Sequence, residues 1–262
     1  MYYLIIVTIF LLLQYDNTIN KLQFMSTFEE IFEELAKTDD ASLIWTNWLD
    51  WVIDSNLITN HNRNLNFKGN EQAYFELYCA WVDIVNKELE TTDKHYYDYL
   101  GVFYEDIIQS KYKAGDRGQF FTPQNISEMI NRIAVNNIGG VINDCACGSG
   151  RLLLDAHANN PTAVLIGQDL DPVAVKMCVL NFYVSGARGS VIHQDTLTRE
   201  FFRAYRVNNY LGYGMCIPHI EIVNEKEAYN FIGLKRDTGK TIESSNDKVT
   251  FKLKGTGQTT LM

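Results

Sequence analysis

The chain has 262 residues, a formal charge of −9, 46% hydrophobic residues, five Cys and four Pro. That is enough apolar sequence for one globular core with a small accessory region, and it excludes a disordered or collagen-like chain. A pI of about 5.1 excludes a broadly basic nucleic-acid coat, though not a local basic groove. The acidic excess is confined to the first part: residues 1–110 hold 6 Lys and Arg against 18 Asp and Glu, residues 111–198 hold 7 against 7, and residues 199–262 hold 10 against 7.

Residues 1–13 are apolar, but a membrane-spanning helix needs about 20 such residues, and a signal peptide carries a basic n-region. The first basic residue here is Lys21. Met25 is read as the initiator and residues 1–24 as a non-native upstream extension; a weak membrane anchor is the competing reading. Ser26 with Glu29 forms a capping-box pattern ahead of an amphipathic helix with Phe28, Ile31, Phe32 and Leu35 on one face. From there to about residue 112 the pattern is helical: a Trp-rich stretch over 43–53, a long periodic segment over 71–90, and another over 99–108. Trp45, Trp48 and Trp51 are read as core rather than as a base-stacking platform.

After residue 115 the pattern changes. Residues 141–143 predict a buried strand, 151–160 a helix, 163–167 a second strand, 172–185 a second helix and 190–193 a third strand. Such alternation builds a parallel sheet, which binds ligands beyond the C-terminal ends of its strands.

Four segments carry candidate chemistry. Asp144-Cys145-Ala146-Cys147-Gly148-Ser149-Gly150 follows the first strand. Its glycines permit a tight turn and close ligand approach, and its carboxylate can accept hydrogen bonds from a cationic amine, as on an amino-acid-bearing cofactor. A plain strand-to-helix turn is the bland alternative. In Gly167-Gln168-Asp169-Leu170-Asp171-Pro172, Asp169 stands where a nucleotide-fold carboxylate meets ribose hydroxyls; capping the next helix is its other reading, a task that Asp171 can also perform. In His193-Gln194-Asp195-Thr196-Leu197, Asp195 ends the third strand and can accept from an exocyclic adenine amine. Upstream, Gly118-Gln119-Phe120-Phe121-Thr122-Pro123 offers Phe120 and Phe121 as a wall for an adenine ring or methionyl chain, and the Thr122 hydroxyl for a carboxylate. The five Cys are odd in number and lack paired metal-ligand spacing, so no metal is expected, and reduced thiols point to a cytoplasmic protein. No Gly-x-Ser-x-Gly elbow and no Gly-x-Gly-x-x-Gly fingerprint occur.

In this order the four segments resemble the N6-adenine DNA methyltransferases related to the modification subunit of type I restriction systems, over about residues 98–198. The resemblance implies an α/β, Rossmann-like S-adenosylmethionine-dependent methyltransferase fold with an N-terminal helical domain. On that reading residues 25–112 form the helical domain, and residues 113–262 form a methyltransferase-like domain, truncated or rewired after about 198. It also implies a cofactor pocket lined by Gln119, Phe121, Thr122, Pro123, Asp144, Ala146, Gly148, Ser149, Gly150, Asp169, Leu170, Asp195 and Thr196. The family's catalytic motif, Asn or Asp followed by Pro-Pro and an aromatic, is not found, since the prolines are Pro123, Pro161, Pro172 and Pro218. Asn208, Asn209 and Tyr210 are its faint echo and the weak catalytic candidates. Two functions stand side by side: adenine-N6 methyl transfer to an extruded base in DNA, or an inactive accessory subunit that binds S-adenosylmethionine and a protein partner. The implied partners are DNA, directly or through a partner, and a protein with a basic surface or a second copy of the chain. The alternation in Lys248-Val249-Thr250-Phe251-Lys252-Leu253-Lys254 predicts a late strand.

Overall fold

A computed structural model describes residues 27–58, 69–92, 96–106, 122, 125–127, 129–130, 140–231 and 260–261. The expected upstream extension, Ser26, Gln119, Phe120, Phe121, Pro123 and the 248–254 strand lie outside the described residues.

Among the described residues, helices α1 (Phe28–Leu35), α2 (Ala41–Ser55), α3 (Glu71–Thr91) and α4 (Tyr99–Phe103) precede the sheet. The capping box of α1 falls one residue later than the sequence pattern suggested. Thr27 accepts from the Glu30 N–H at 3.3 Å, and its own N–H donates to Glu30 Oε2 at 2.9 Å. This start turns Phe28 and Phe32 fully inward. The Trp-rich stretch is α2, capped by the Asp40 side chain at the Leu43 N–H. Trp45 stacks on Phe103 with ring centroids 5.2 Å apart, and Trp48 Nε1 donates to the Tyr74 carbonyl at 3.1 Å. Burying rings of this size contributes roughly 4–6 kcal/mol each in gross transfer free energy, so these tryptophans serve the core and present no face to a base.

Strands β1 (Val141–Asp144), β2 (Val164–Asp169) and β3 (Gly189–Asp195) run parallel, joined through α5 (Arg151–Asn159) and α6 (Pro172–Ser185). The expected alternation is present at close to the expected boundaries. α6 is apolar on nearly every side, because it is packed against β2 and β3 as well as α2. Lys176 on α6 pairs with Asp50 on α2 at 2.8 Å, and the Tyr183 hydroxyl donates to Asn56 Oδ1 at 2.6 Å. One hydrophobic cluster therefore runs from the N-terminal helices through α5 and α6 to the sheet.

After β3 the chain turns back. β4 (Glu200–Val207) lies antiparallel to β3, and β5 (Ile220–Val223) antiparallel to β4, followed by α7 (Glu225–Ala228). A short β6 (Thr260–Leu261) pairs parallel with β1, giving the order β5-β4-β3-β2-β1-β6. The Ile58 N–H donates to the Ile220 carbonyl, and the Ile220 N–H to the Asn56 carbonyl, each at 3.1 Å. The residues after α2 thus pin the N-terminal helices to the β5 edge.

Candidate functional site

Strands β1, β2 and β3 end alike. Each closes with an amide residue and then a carboxylate: Asn143-Asp144, Gln168-Asp169, Gln194-Asp195. Alternation along a strand sends the two sets to opposite faces. The amides join across the strands, with Gln168 Nε2 donating to Asn143 Oδ1 at 3.0 Å and Gln194 Nε2 donating to Gln168 Oε1 at 2.7 Å. This ladder was not anticipated from the sequence, although the repeated amide-acid pair was its visible signal.

The carboxylates share a device. Asp144 Oδ1 accepts from the Ala146 N–H at 3.1 Å, Asp169 Oδ1 from the Asp171 N–H at 2.9 Å, and Asp195 Oδ1 from the Leu197 N–H at 2.8 Å. Each acid thereby holds its own strand-end turn. Asp169 Oδ2 also accepts from the Gly148 N–H at 2.8 Å, which ties the β2 end to the glycine loop. The Asp171 side chain caps α6 at the Val173 N–H, 2.7 Å, so Asp169 is released from that task.

Asp144 is buried, and among the described residues its carboxylate takes only the Ala146 N–H. Burial pushes its carboxyl above the ordinary aspartate range, opposed in part by that N–H and aided least by the like charge of Asp169. Asp195 is the reverse, held below the usual range chiefly by the Thr198 and Leu197 N–H groups.

The loop itself is tight. Cys147 N–H donates to the Gln168 carbonyl at 2.9 Å, and Gly150 N–H to the Cys147 carbonyl at 2.8 Å. Gly150 has φ +87°, and a Cβ there would stand 2.6 Å from Cys178 Sγ. Its glycine is required by the turn and by packing beneath the loop, rather than by ligand approach alone. Thr122, Asp144, Ala146, Cys147, Gly148, Ser149, Arg151 and Leu152 line a small cleft, open to solvent, of about 50 Å³.

The structure therefore brings together Thr122, Asp144, Ala146, Gly148, Ser149 and Gly150, with Asp169 bonded to the loop from the adjacent strand. Leu170 follows at the strand end, 59% exposed, its carbonyl 3.1 Å from His193 Nε2. Thr196 lies in the turn after Asp195 and is half-buried. Among the described residues no group of three or more His, Cys, Asp or Glu is arranged to hold a metal ion.

Asn208, Asn209 and Tyr210 are elsewhere. Antiparallel pairing sets Glu200 beside Asp195 and Val207 beside Gly189, so β4 carries Asn208 to the opposite end of β3, roughly 20 Å from Asp195 at about 3.3 Å per residue. Asn208 is fully buried at φ +55°. Its Nδ2 donates to the Phe182 and Ala187 carbonyls at 3.0 Å each, and its Oδ1 accepts from the His219 N–H at 3.1 Å. Asn209 Oδ1 accepts from Arg188 at 3.4 Å, and Tyr210 stacks on His219. These side chains seal a turn at the far end of the sheet, which separates the weak catalytic candidates from the cleft.

Asp98 was missed by the sequence reading. It caps α4, is 3% exposed, and receives hydrogen bonds from Gly101, Asn181, Ser149 and Arg151.

Residues 95–218 match the N-6 DNA Methylase family model. Over that stretch the chain is similar to the N-6 DNA methylases. Over 135 residues it is 34% identical to the type I restriction enzyme MpnII methylase subunit of Mycoplasma pneumoniae, covering 46% of this chain and 24% of that protein. Over 117 residues it is 35% identical to the MjaVIII methylase subunit of Methanocaldococcus jannaschii, covering 42% of this chain and 20% of that protein. The matches thus span about a quarter or less of these curated relatives. A solved type I restriction-modification methyltransferase subunit from Streptococcus thermophilus is 25% identical, with 61% of this chain and 32% of that chain covered and a TM-score of 0.30.

Proposed function

We propose that this chain is a S-adenosylmethionine-binding module of the N6-adenine DNA methylation type, with its cofactor at the C-terminal ends of β1, β2 and β3. The observation that supports the reading most is Asp144: a buried carboxylate with one N–H donor and a neighbouring like charge, opening onto a glycine-loop cleft. Its chemistry suits a ligand with a cationic amine. Bound there, the cofactor supplies an electrophilic sulfonium methyl. The residues present fit such a group: Asp144 for the ammonium, Asp169 for the ribose hydroxyls, Asp195 for the adenine amine, and the loop amides with Thr122 around the carboxylate and chain. Gln119, Phe121 and Pro123 complete the proposed lining. The proposed fold is Rossmann-like, with residues 25–112 as its helical domain.

Methyl transfer to adenine N6 needs a second set of groups to hold the extruded base. The 208–210 turn does not offer them, because its side chains are committed at the far end of the sheet. We therefore favour a module whose base-holding groups come from outside the described residues or from a second protein, with the inactive accessory subunit as the alternative. DNA contact through a partner, a basic protein surface against the acidic N-terminal helices, and a cytoplasmic location belong to the same proposal. Among the described residues no helix is long and apolar enough to cross a membrane.

Calorimetry with S-adenosylmethionine tests the pocket. The expected result is saturable one-to-one binding that weakens at least tenfold in Asp169→Ala; no heat with the wild type would overturn the proposal. Labelled-methyl transfer to mixed DNA separates the two readings. Incorporation abolished by Asn208→Ala or Asn209→Ala, with folding intact, would restore those residues to catalysis.

A further inference from the structure

We propose that Asp98 is a positioning residue of the cofactor site, fixing both lips of the cleft and coupling it to the N-terminal helices. The inference rests on the cofactor reading above. Asp98 does not line the cleft; it acts through two residues that do.

Its two oxygens divide the work. Oδ1 accepts from the Gly101 N–H on α4 and from Asn181 Nδ2 on α6, each at 2.8 Å. Oδ2 accepts from Ser149 Oγ at 2.5 Å and from Arg151 Nε at 3.0 Å. One oxygen is thus fixed to the scaffold, and the other grips the residues on either side of Gly150, where the loop enters α5. Arg151 carries the grip further, donating through Nη1 to the Thr122 carbonyl at 3.0 Å. Thr122 and the glycine loop both line the cleft, so a single carboxylate helps set their spacing.

The arrangement leaves little slack. Asp98, Asn181 and Ser149 are each at most 3% exposed. Asn181 Nδ2 donates to the Ser149 carbonyl as well, at 2.9 Å. A Cβ on Gly101 would fall 2.3 Å from Asp98 Oδ2 and 2.7 Å from Ser149 Oγ, so the α4 backbone approaches the loop as closely as glycine alone permits. Arg151 Nη2 also stands 3.6 Å from Glu105, just beyond α4. Movement of α4 must therefore move the loop. The acidic helices, where a partner is proposed to dock, connect to the cofactor cleft through this contact.

The chemistry of an amide at this position supplies the test. In Asp98→Asn the side-chain oxygen can still serve Gly101 and Asn181, while the NH₂ group then faces the Arg151 N–H. The scaffold bonds persist, the Arg151 bond is lost, and Ser149 Oγ keeps its contact only by reversing its role to accept from the new NH₂. Using the full chain, S-adenosylmethionine affinity, the urea midpoint and amide exchange over residues 147–151 are measured for Asp98→Asn, Ser149→Ala and the double variant. Lys176→Ala serves as control, since it breaks the α6–α2 ion pair without touching Asp98. Asp98→Asn is expected to weaken binding at least tenfold and to speed exchange over 147–151. Ser149→Ala should weaken it a few-fold, and the double variant should be no weaker than Asp98→Asn alone. Lys176→Ala should lower the urea midpoint with affinity unchanged. Affinity within twofold of wild type in Asp98→Asn, or a loss in Lys176→Ala of the same size, would overturn the positioning role. If Asp98→Asn does not fold, undiminished affinity in Ser149→Ala overturns it instead. Should the wild type not bind S-adenosylmethionine, the cofactor reading falls, and unchanged 147–151 exchange in Asp98→Asn would remove Asp98's hold on the loop as well.

Discussion

The two ends of the β1–β3 strands carry polar groups of opposite design. At the C-terminal ends the groups are carboxylates, each holding one turn; Asp144 also lines the cleft, and Asp169 also bonds the glycine loop. At the N-terminal end of β3 the hub is a neutral amide, Asn208, whose donors and acceptor are all spent on backbone. The first kind leaves capacity for a ligand; the second closes a turn. On the proposed reading, the bonds of the Asn208 amide to backbone argue for a structural role at Asn208-Asn209-Tyr210 rather than a base-holding one.

The largest expected effect is at the closed end. Asn208→Ala removes the side-chain partner of the Ala187 carbonyl and of the His219 N–H in a buried site, while the Phe182 carbonyl keeps the Ala187 N–H, and should destabilise the protein by about 3 kcal/mol in urea titration. Cofactor affinity of the folded fraction should stay within twofold. Gly150→Ala probes the open end: the positive φ and the contact with Cys178 Sγ should cost about 2 kcal/mol, here with a marked loss of cofactor affinity.

The two ends also titrate in opposite senses. Asp144 has its carboxyl raised by burial and by Asp169, so it contributes stability below the ordinary aspartate pKa that is lost as pH rises through the raised value. Asp144→Asn should raise the thermal midpoint of the ligand-free protein at neutral pH while abolishing cofactor binding. His219 has its pKa lowered, first by burial. Its Nε2 accepts from the Tyr210 N–H at 3.1 Å, while its Nδ1 lies 3.2 Å from the Ile217 carbonyl, which selects the neutral ring protonated on Nδ1. Its contribution is present above the ordinary histidine value of 6.5 and is lost as pH falls through the lowered one. His219→Gln should flatten that acid limb, the smallest of these effects, read from thermal midpoints across a pH series.

What was legible in the sequence was local. The β1-α5-β2-α6-β3 run announces itself through apolar runs punctuated by Asp, Gly and Pro, and Asp144, Asp169 and Asp195 stand at strand ends as their spacing suggests. The return of β4 was not legible, since Glu200-Phe201-Phe202-Arg203 carries no sign of whether its strand pairs parallel or antiparallel. Phe202 is the extra residue where the β3–β4 register shifts, and its ring packs on His193 at 4.6 Å. Asp98 was hidden because its partners lie 3, 51, 53 and 83 residues away in the chain; no periodicity links a helix cap to a loop so distant. The tight turn at Gly150 was legible in its glycine, but the atom that excludes a side chain there, Cys178 Sγ, belongs to α6, far along the chain.

The central claim, that S-adenosylmethionine sits at the acidic strand ends and leaves the amide-locked end untouched, is tested most directly by amide hydrogen exchange with and without the cofactor. Protection is expected at Ala146, Gly148, Ser149 and Gly150, with exchange across 208–219 unchanged. Protection centred on Asn208, Asn209 and Tyr210, with the glycine loop unaffected, would contradict it.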